Sequence, residues 1–293
     1  MQHSKDQYYV PEGSYWPILG SVGMALLLGG FASSLHGSGL GAGLAVLGLV
    51  VTVFMVFGWM GQVVSESEGG YYNQQVGKSF RIGMGWFIFS EVMFFAAFFG
   101  AMFYAREFSI PWLAGEGNNF WTGKLLWPEF SASWPLVKMP SPELFAVPSA
   151  LVHAWGIPAI NTMLLLASGA TLTWAHWALY NKKRDQLIYG MIATITLGVI
   201  FLGFQAYEYA HAYGDLNLKM TSGVYGSTFY LLTGFHGFHV TLGTVMLICI
   251  LMRIIRGHFT PENHFAFEAV AWYWHFVDVV WLGLFIYVYW FTG

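Results

Sequence analysis

Residues 234–260 read GFHGFHVTLGTVMLICILMRIIRGHFT, and residues 261–290 continue PENHFAFEAVAWYWHFVDVVWLGLFIYVYW. Two long apolar segments flank a short polar turn, with His236, His239, His264, Glu268, His275 and Asp278 in or beside them. An apolar run of about 20 residues crosses a hydrocarbon core of roughly 30 Å as a helix. A chargeable side chain at that depth is costly unless paired or solvated, so these groups either hold helices together or handle charge.

The other residues of the 293 obey the same rule. The chain is 56% hydrophobic and only 9% charged, whereas soluble domains carry roughly 25% charged residues; a water-soluble globule is excluded. Stretches such as FIFSEVMFFAAFFGAMFY (87–104) do not alternate apolar with polar, which excludes a membrane β-barrel. The pattern predicts an all-α polytopic membrane protein with seven transmembrane helices at about 16–36, 41–64, 80–105, 147–180, 186–211, 224–256 and 266–291. Pro148 and Pro158 predict that the fourth span is kinked or interfacial in its first turns.

Charge supports that count. Lys5, Lys78, Arg81, Lys182, Lys183, Arg184, Arg253 and Arg256 fall on the N-terminal side, leaving Arg106, Lys124, Lys138 and Lys219 on the other. Positive loops face the cytoplasm, so the expected topology has the N-terminus inside and the C-terminus outside. Cys249 stands alone, which allows no internal disulfide, no c-type haem attachment and no thiolate-bridged copper pair. The N-terminal MQHSKDQYYVPEGSYWP lacks a cleavable signal pattern. A net charge of −3, thinly spread, suggests no nucleic-acid partner.

Two divisions follow. Residues 1–70 hold a polar tail and a glycine-rich hairpin (Gly20, Gly23, Gly29, Gly30, then Gly39, Gly41, Gly43, Gly48), where small residues allow close helix approach. Residues 71–293 hold five spans and a long external loop at about 107–146, whose Trp112, Trp121, Trp127 and Trp134 suit the headgroup level.

Each polar constellation has two readings. Glu91, flanked at helical spacing by Phe87, Ile88, Phe94 and Phe95, is either a proton-handling acid or a neutral acid bonded to a neighbouring helix. Gln205, Glu208 and His211 share a face; Glu208 and His211 either share a proton or close the helix end in a polar network. His236 and His239 suggest haem or metal ligation, with His153, His176 or His275 opposite, or tight packing beside Gly234 and Gly237. His275 and Asp278 form either an oriented imidazole or a packing lock. His258, His264, Arg253 and Arg256 suit lipid phosphates, surface proton collection or simply a solvated positive turn. No nucleophile motif, phosphate loop or dinucleotide fingerprint is present, so no catalytic residue and no metal site are expected.

The blocks FIFSEVMFF (87–95), LLLASGATLTWAH (164–176), TITLGVIF (194–201), GVYGSTFYLLTGFHGFHV (223–240) and FAFEAVAWYWHFVDVVWL (265–282) closely resemble cytochrome c oxidase subunit III, and the resemblance extends over all seven spans. It implies a two-helix hairpin splayed from a five-helix bundle around a lipid-filled cleft. It also implies a non-catalytic subunit of a proton-pumping haem-copper oxidase, which supports subunit I, sustains proton uptake and limits turnover inactivation. Haems and copper are then expected in partner subunits I and II, small accessory subunits beside them, cytochrome c only through the complex, and structural phospholipids on this chain. The family's carbodiimide-reactive glutamate matches Glu91, with Glu208 and His211 as further proton-related candidates. Its lipid-contacting arginines match Arg81 and Arg253, to which Trp59, Glu66, His258 and His264 are added. His236, His239, Glu268, His275 and Asp278 are expected as a structural polar network. Around Trp59 (GWMGQVVSES, 58–67) the family's extra tryptophan and arginines are missing. The stretch LVHAWGIPAINT (151–162) reads as bacterial, implying a bacterial plasma membrane with a cytoplasmic N-terminus and periplasmic C-terminus. A quinol oxidase subunit III is disfavoured by the first hairpin, and a secondary transporter by the lack of an internal repeat. A haem-binding membrane cytochrome remains the other alternative.

Overall fold

The structure, a computed structural model, describes residues 8–139 and 142–292. Among them the long helices are α1 (Trp16–Leu35), α2 (Gly39–Glu68), α3 (Gln74–Tyr104), α4 (Ile157–Tyr180), α5 (Arg184–Gly214), α6 (Gly223–Ile255) and α7 (Phe265–Leu284). No strand occurs among the described residues. All seven helices are long and apolar enough to cross a membrane, the third continuing helically to Asn119 and the last to Thr292. The protein is therefore an all-α polytopic membrane protein.

One expected boundary moves by ten residues. The fourth span begins at Ile157 rather than 147, because Pro158 lies in the first turn, where its missing N–H costs nothing and its fixed φ favours helix. The proline starts this helix instead of kinking it, and residues 147–153 are irregular. The expected loop at 107–146 is partly helical, since α3 runs through a π-turn at Ala105–Ser109 into a single α-turn at Ile110–Leu113. Beyond it, Ile110, Leu136 and Met139 form a small core of their own with Trp134 packed against it.

By contacts the chain divides into two compact units, Met1–Ile82 and Gly83–Gly293. In the first, α1 and α2 form an antiparallel hairpin closed by glycine. Gly30 and Gly41 face each other's backbones, and a methyl group on Gly48 would run into the Leu27 nitrogen and meet the Gly23 carbonyl at 2.7 Å. Contact at backbone distance replaces side-chain interdigitation here. At the far end the Trp16 indole donates to Gln62 (2.8 Å), Gln62 to Glu66 (2.9 Å), and the Tyr72 hydroxyl also to Glu66 (2.8 Å). Burial, then the hydrogen bond to Glu66, push the Tyr72 phenol up.

In the second unit α7 is the central helix: 56% of its most apolar stretch is buried, against 33–39% in α4, α5 and α6. Trp274, fully buried, donates its indole N–H to Ser168 of α4 (2.9 Å), and Trp281 donates to Thr162 of the same helix (2.9 Å). The Trp274 ring is seated between two glycines; added methyl groups would meet it at 2.7 Å from Gly198 of α5 and 2.8 Å from Gly243 of α6. The α3 segment of this unit packs by aromatic contacts, Phe94 against Phe235, Phe95 against Phe276 and Phe87 against Tyr273.

The hairpin geometry makes a paired test. Gly48→Ala should destabilise by roughly 1–3 kcal/mol through overpacking. Gly29→Ala, whose methyl would meet nothing within 4 Å, should be neutral or slightly stabilising through helix propensity. Thermal unfolding of the two variants in detergent checks the difference; equal effects would mean the close approach is absent.

Candidate functional site

Glu91 lies midway along α3, surrounded at helical spacing by aromatic and aliphatic side chains. Burial of this kind leaves a carboxyl without water, so it must find its partner in the protein. It finds one on α6: Oε2 lies 2.8 Å from Nε2 of His239, with the Glu91 side chain 22% and the histidine side chain 10% exposed. The histidine is positioned by its own helix, since its Nδ1 lies 2.6 Å from the carbonyl of Phe235 one turn back. Phe95 edges onto the imidazole at 5.0 Å and Tyr273 stacks near it at 6.2 Å.

These contacts fix the chemistry of the pair. A carbonyl only accepts, so Nδ1 carries hydrogen and donates to Phe235. Neutral His239 then presents a bare Nε2, and a bond to Glu91 needs one proton between them. Either a neutral carboxyl donates to imidazole, or an imidazolium donates to carboxylate. In both forms the pair holds one shared proton and no net charge, which suits a low-dielectric interior.

The other predicted groups keep some partners that helical spacing suggested, such as Gln205 for Glu208, and take others from different helices. Glu208, 1% exposed, accepts on Oε1 from Tyr289 of the C-terminal segment (2.7 Å) and from Gln205 (3.2 Å). The expected proton-sharing pair of Glu208 and His211 is not formed, because His211 turns outward and bonds Asp215 (2.7 Å). His236 and His239 do not converge as ligands: His236 donates from Nε2 to the Val277 carbonyl (3.1 Å), while His239 faces Glu91. Among the described residues no group of three or more His, Cys, Asp or Glu side chains is arranged to hold a metal ion. His275 and Asp278 approach only to 3.7 Å, too long for a hydrogen bond. The imidazole of His275 instead meets Thr173 at 3.4 Å, and Asp278 packs against Gly169.

The expected lipid set divides between the two units. In Met1–Ile82, Trp59 and Arg81 are exposed, whereas Glu66 is engaged by Gln62 and Tyr72. In Gly83–Gly293, the Arg253 guanidinium lies over Phe259 (4.5 Å) and its Nε meets His258 at 3.5 Å. His264 leaves the set: it is 5% exposed, donates from Nδ1 to the Thr260 carbonyl (3.2 Å) and accepts from the Tyr180 hydroxyl (3.1 Å). Glu268 sits in the first turn of α7, where an acid favours the helix dipole. Sequence reading missed Trp274, Trp281, Ser168 and Thr162 as polar partners; the available signal was two tryptophans one heptad apart on one helix.

The family model for cytochrome c oxidase subunit III matches residues 6–114 and 126–293. Proteins described as cytochrome c oxidase subunit 3 are similar along the whole chain. The one from Marchantia polymorpha is 42% identical over 291 residues, covering 99% of this chain and 98% of its own. That from Arabidopsis thaliana is 39% identical over 294 residues, covering 100% and 99%. That from Drosophila yakuba is 38% identical over 292 residues, covering 99% of each. These relatives are eukaryotic, which overturns the bacterial reading and points to the inner mitochondrial membrane; the cytoplasmic N-terminus and periplasmic C-terminus fall with it. Within the stretch 151–162 that suggested a bacterium, Pro158 starts α4, Asn161 is buried and Thr162 accepts from Trp281.

The shared proton orders two substitutions. Glu91→Gln keeps a donor toward His239 Nε2 and should cost less than about 1 kcal/mol. His239→Leu leaves a buried carboxyl unpaired and should cost roughly 1–3 kcal/mol. Unfolding midpoints of the two variants, compared in the same detergent, test this; a larger loss for Glu91→Gln would exclude the shared-proton pair.

Proposed function

The chain belongs to the cytochrome c oxidase subunit III family, and from that membership we propose that it steadies subunit I, supports proton uptake into it and prolongs the enzyme's life under turnover. It is a non-catalytic core subunit of the oxidase complex. The observation that supports the proton-related part is the Glu91–His239 contact between α3 and α6, Oε2 to Nε2 at 2.8 Å, which we read as a pair sharing one proton. Such a pair moves charge by the width of one hydrogen bond without changing its net charge. Glu208, accepting from Tyr289 and Gln205, has a supporting role in the packing of α5 against the C-terminal segment.

Direct contact is proposed with subunit I, then with subunit II and small accessory subunits. Cytochrome c is met only through the assembled complex, and haems and copper reside in the partners. The division at about residue 70 is proposed as a functional one, with residues 1–70 chiefly lipid-facing and 71–293 carrying the polar groups. Exposed Arg81 and Trp59 in the first part, and Arg253 with His258 in the second, are proposed to meet phospholipid headgroups. Positive side chains near helix ends favour anionic lipid surfaces.

Removing the chain from the purified complex tests the reading. The haem spectrum should stay with the remaining subunits, and oxygen consumption should start near its normal rate and decay sooner. Haem leaving with this chain, or immediate loss of activity, would overturn it. In the intact complex, Glu91→Gln should likewise shorten active lifetime or weaken proton pumping at a near-normal initial rate; if neither changes, the pair serves packing alone.

A further inference from the structure

On the face where α4 and α6 end, the turn 181–183 and the segment 256–264 enclose a cavity of about 370 Å³. That volume falls within the roughly 300–1,000 Å³ of small-ligand sites. Lys182, Lys183 and Arg184 line one side, with Glu262 as the one acid among the lining residues. Leu187, Ile254 and Phe259 give it apolar walls. Arg184 ties the two segments together by donating from Nη2 to the Ile255 carbonyl (2.7 Å). Lys182 and Lys183 are exposed and form no ion pair among the described residues.

Two helix ends on this face provide an internal comparison. At the end of α6, Gly257 takes a positive φ (79°), with His258 N–H on the Arg253 carbonyl and Gly257 N–H on that of Ile254. The end of α4 repeats the arrangement, with Lys183 N–H on Ala178 and Lys182 N–H on Leu179, but the positive-φ residue is Lys182 (57°). Glycine is the usual occupant of that position, since a side chain there is strained. A lysine in its place puts a cation at the cavity mouth against local backbone preference.

We propose that this cavity binds the phosphate of an anionic phospholipid, with Lys182, Lys183 and Arg184 meeting the headgroup and Leu187, Ile254 and Phe259 meeting its glycerol and first acyl carbons. Three cations against one carboxylate select a negative ligand. The spans end at Tyr180 and Ile255, so the cavity lies where headgroups lie, and its apolar walls suit a lipid better than free phosphate. The site rests on this chain being a membrane subunit, and not on the proposed lipid contacts of Arg81 and Arg253.

The test uses the whole oxidase complex in phosphatidylcholine nanodiscs doped with photoactivatable phosphatidylglycerol, crosslinked peptides being mapped by mass spectrometry. Phosphatidylglycerol should label 178–187 and 254–262 several-fold more than a photoactivatable phosphatidylcholine. The double variant Lys182→Gln/Lys183→Gln should reduce that label by roughly tenfold, since each basic residue near an anionic surface contributes severalfold. Glu262→Gln should raise it. Oxygen consumption recorded on the same samples separates loss of this site from loss of the subunit's support to the complex. Equal labelling by the two lipids, or label unchanged in the double variant, would overturn the proposal. Competition by inorganic phosphate would overturn the lipid assignment in favour of a soluble phosphate ligand.

Discussion

Two indole N–H groups of α7 have no water to bond, and the arrangement of the five-helix unit follows from where they are satisfied. An N–H left unpaired in hydrocarbon costs several kcal/mol. Ser168 and Thr162 of α4 are suited to accept because each hydroxyl has already committed its own hydrogen to its helix, Ser168 to Leu165 (2.7 Å) and Thr162 to Pro158 (2.8 Å). Their lone pairs are left for Trp274 and Trp281. Two such bonds set the register and rotation of α7 against α4 together. The Trp274 ring must then pass between α5 and α6, and Gly198 and Gly243 stand where it passes; Asp278 makes the same demand on Gly169 of α4. The glycines of three helices are consequences of one face of a fourth.

The hairpin solves the same problem by other means. Its helices carry few polar groups at mid-depth, so backbone-distance packing at Gly30, Gly41 and Gly48 supplies the contact, and hydrogen bonds gather at one end, from Trp16 through Gln62 to Glu66 and Tyr72. Membrane helices gain no hydrophobic benefit from meeting one another, so close van der Waals contact and polar bonds are the means that remain. The first unit relies on the former and the second largely on the latter.

This division explains what the sequence disclosed. Helix number and class were legible because hydrocarbon thickness sets a minimum run length that needs no knowledge of neighbours. The start of α4 was misplaced because proline both breaks helices and begins them, and only the chain direction at Pro158 distinguishes the two. Polar partners were the poorest part. Spacing along one helix suggested Glu208 with His211, yet the bonds run from Glu208 to Tyr289 and from His239 to Glu91, 148 residues away. His275 and Asp278 do lie within 3.7 Å, but the other ring nitrogen of His275 meets Thr173 on another helix. Periodicity reports which residues share a face and says nothing of which face meets which.

Depth alone therefore does not determine what a buried acid does. Glu91 and Glu208 are both carboxyls on apolar helices, and both are removed from bulk water. Glu208 is met by two donors, the Tyr289 hydroxyl and the Gln205 amide, directed at the same oxygen. Glu91 is met by a ring nitrogen whose opposite nitrogen is already tied to the Phe235 carbonyl. That second bond turns His239 from a donor into a group that needs the same proton as the acid. A carbonyl one turn back on α6, remote from Glu91 in sequence, thus decides that one of these two acids can exchange a proton with its neighbour while the other is held in place by donors.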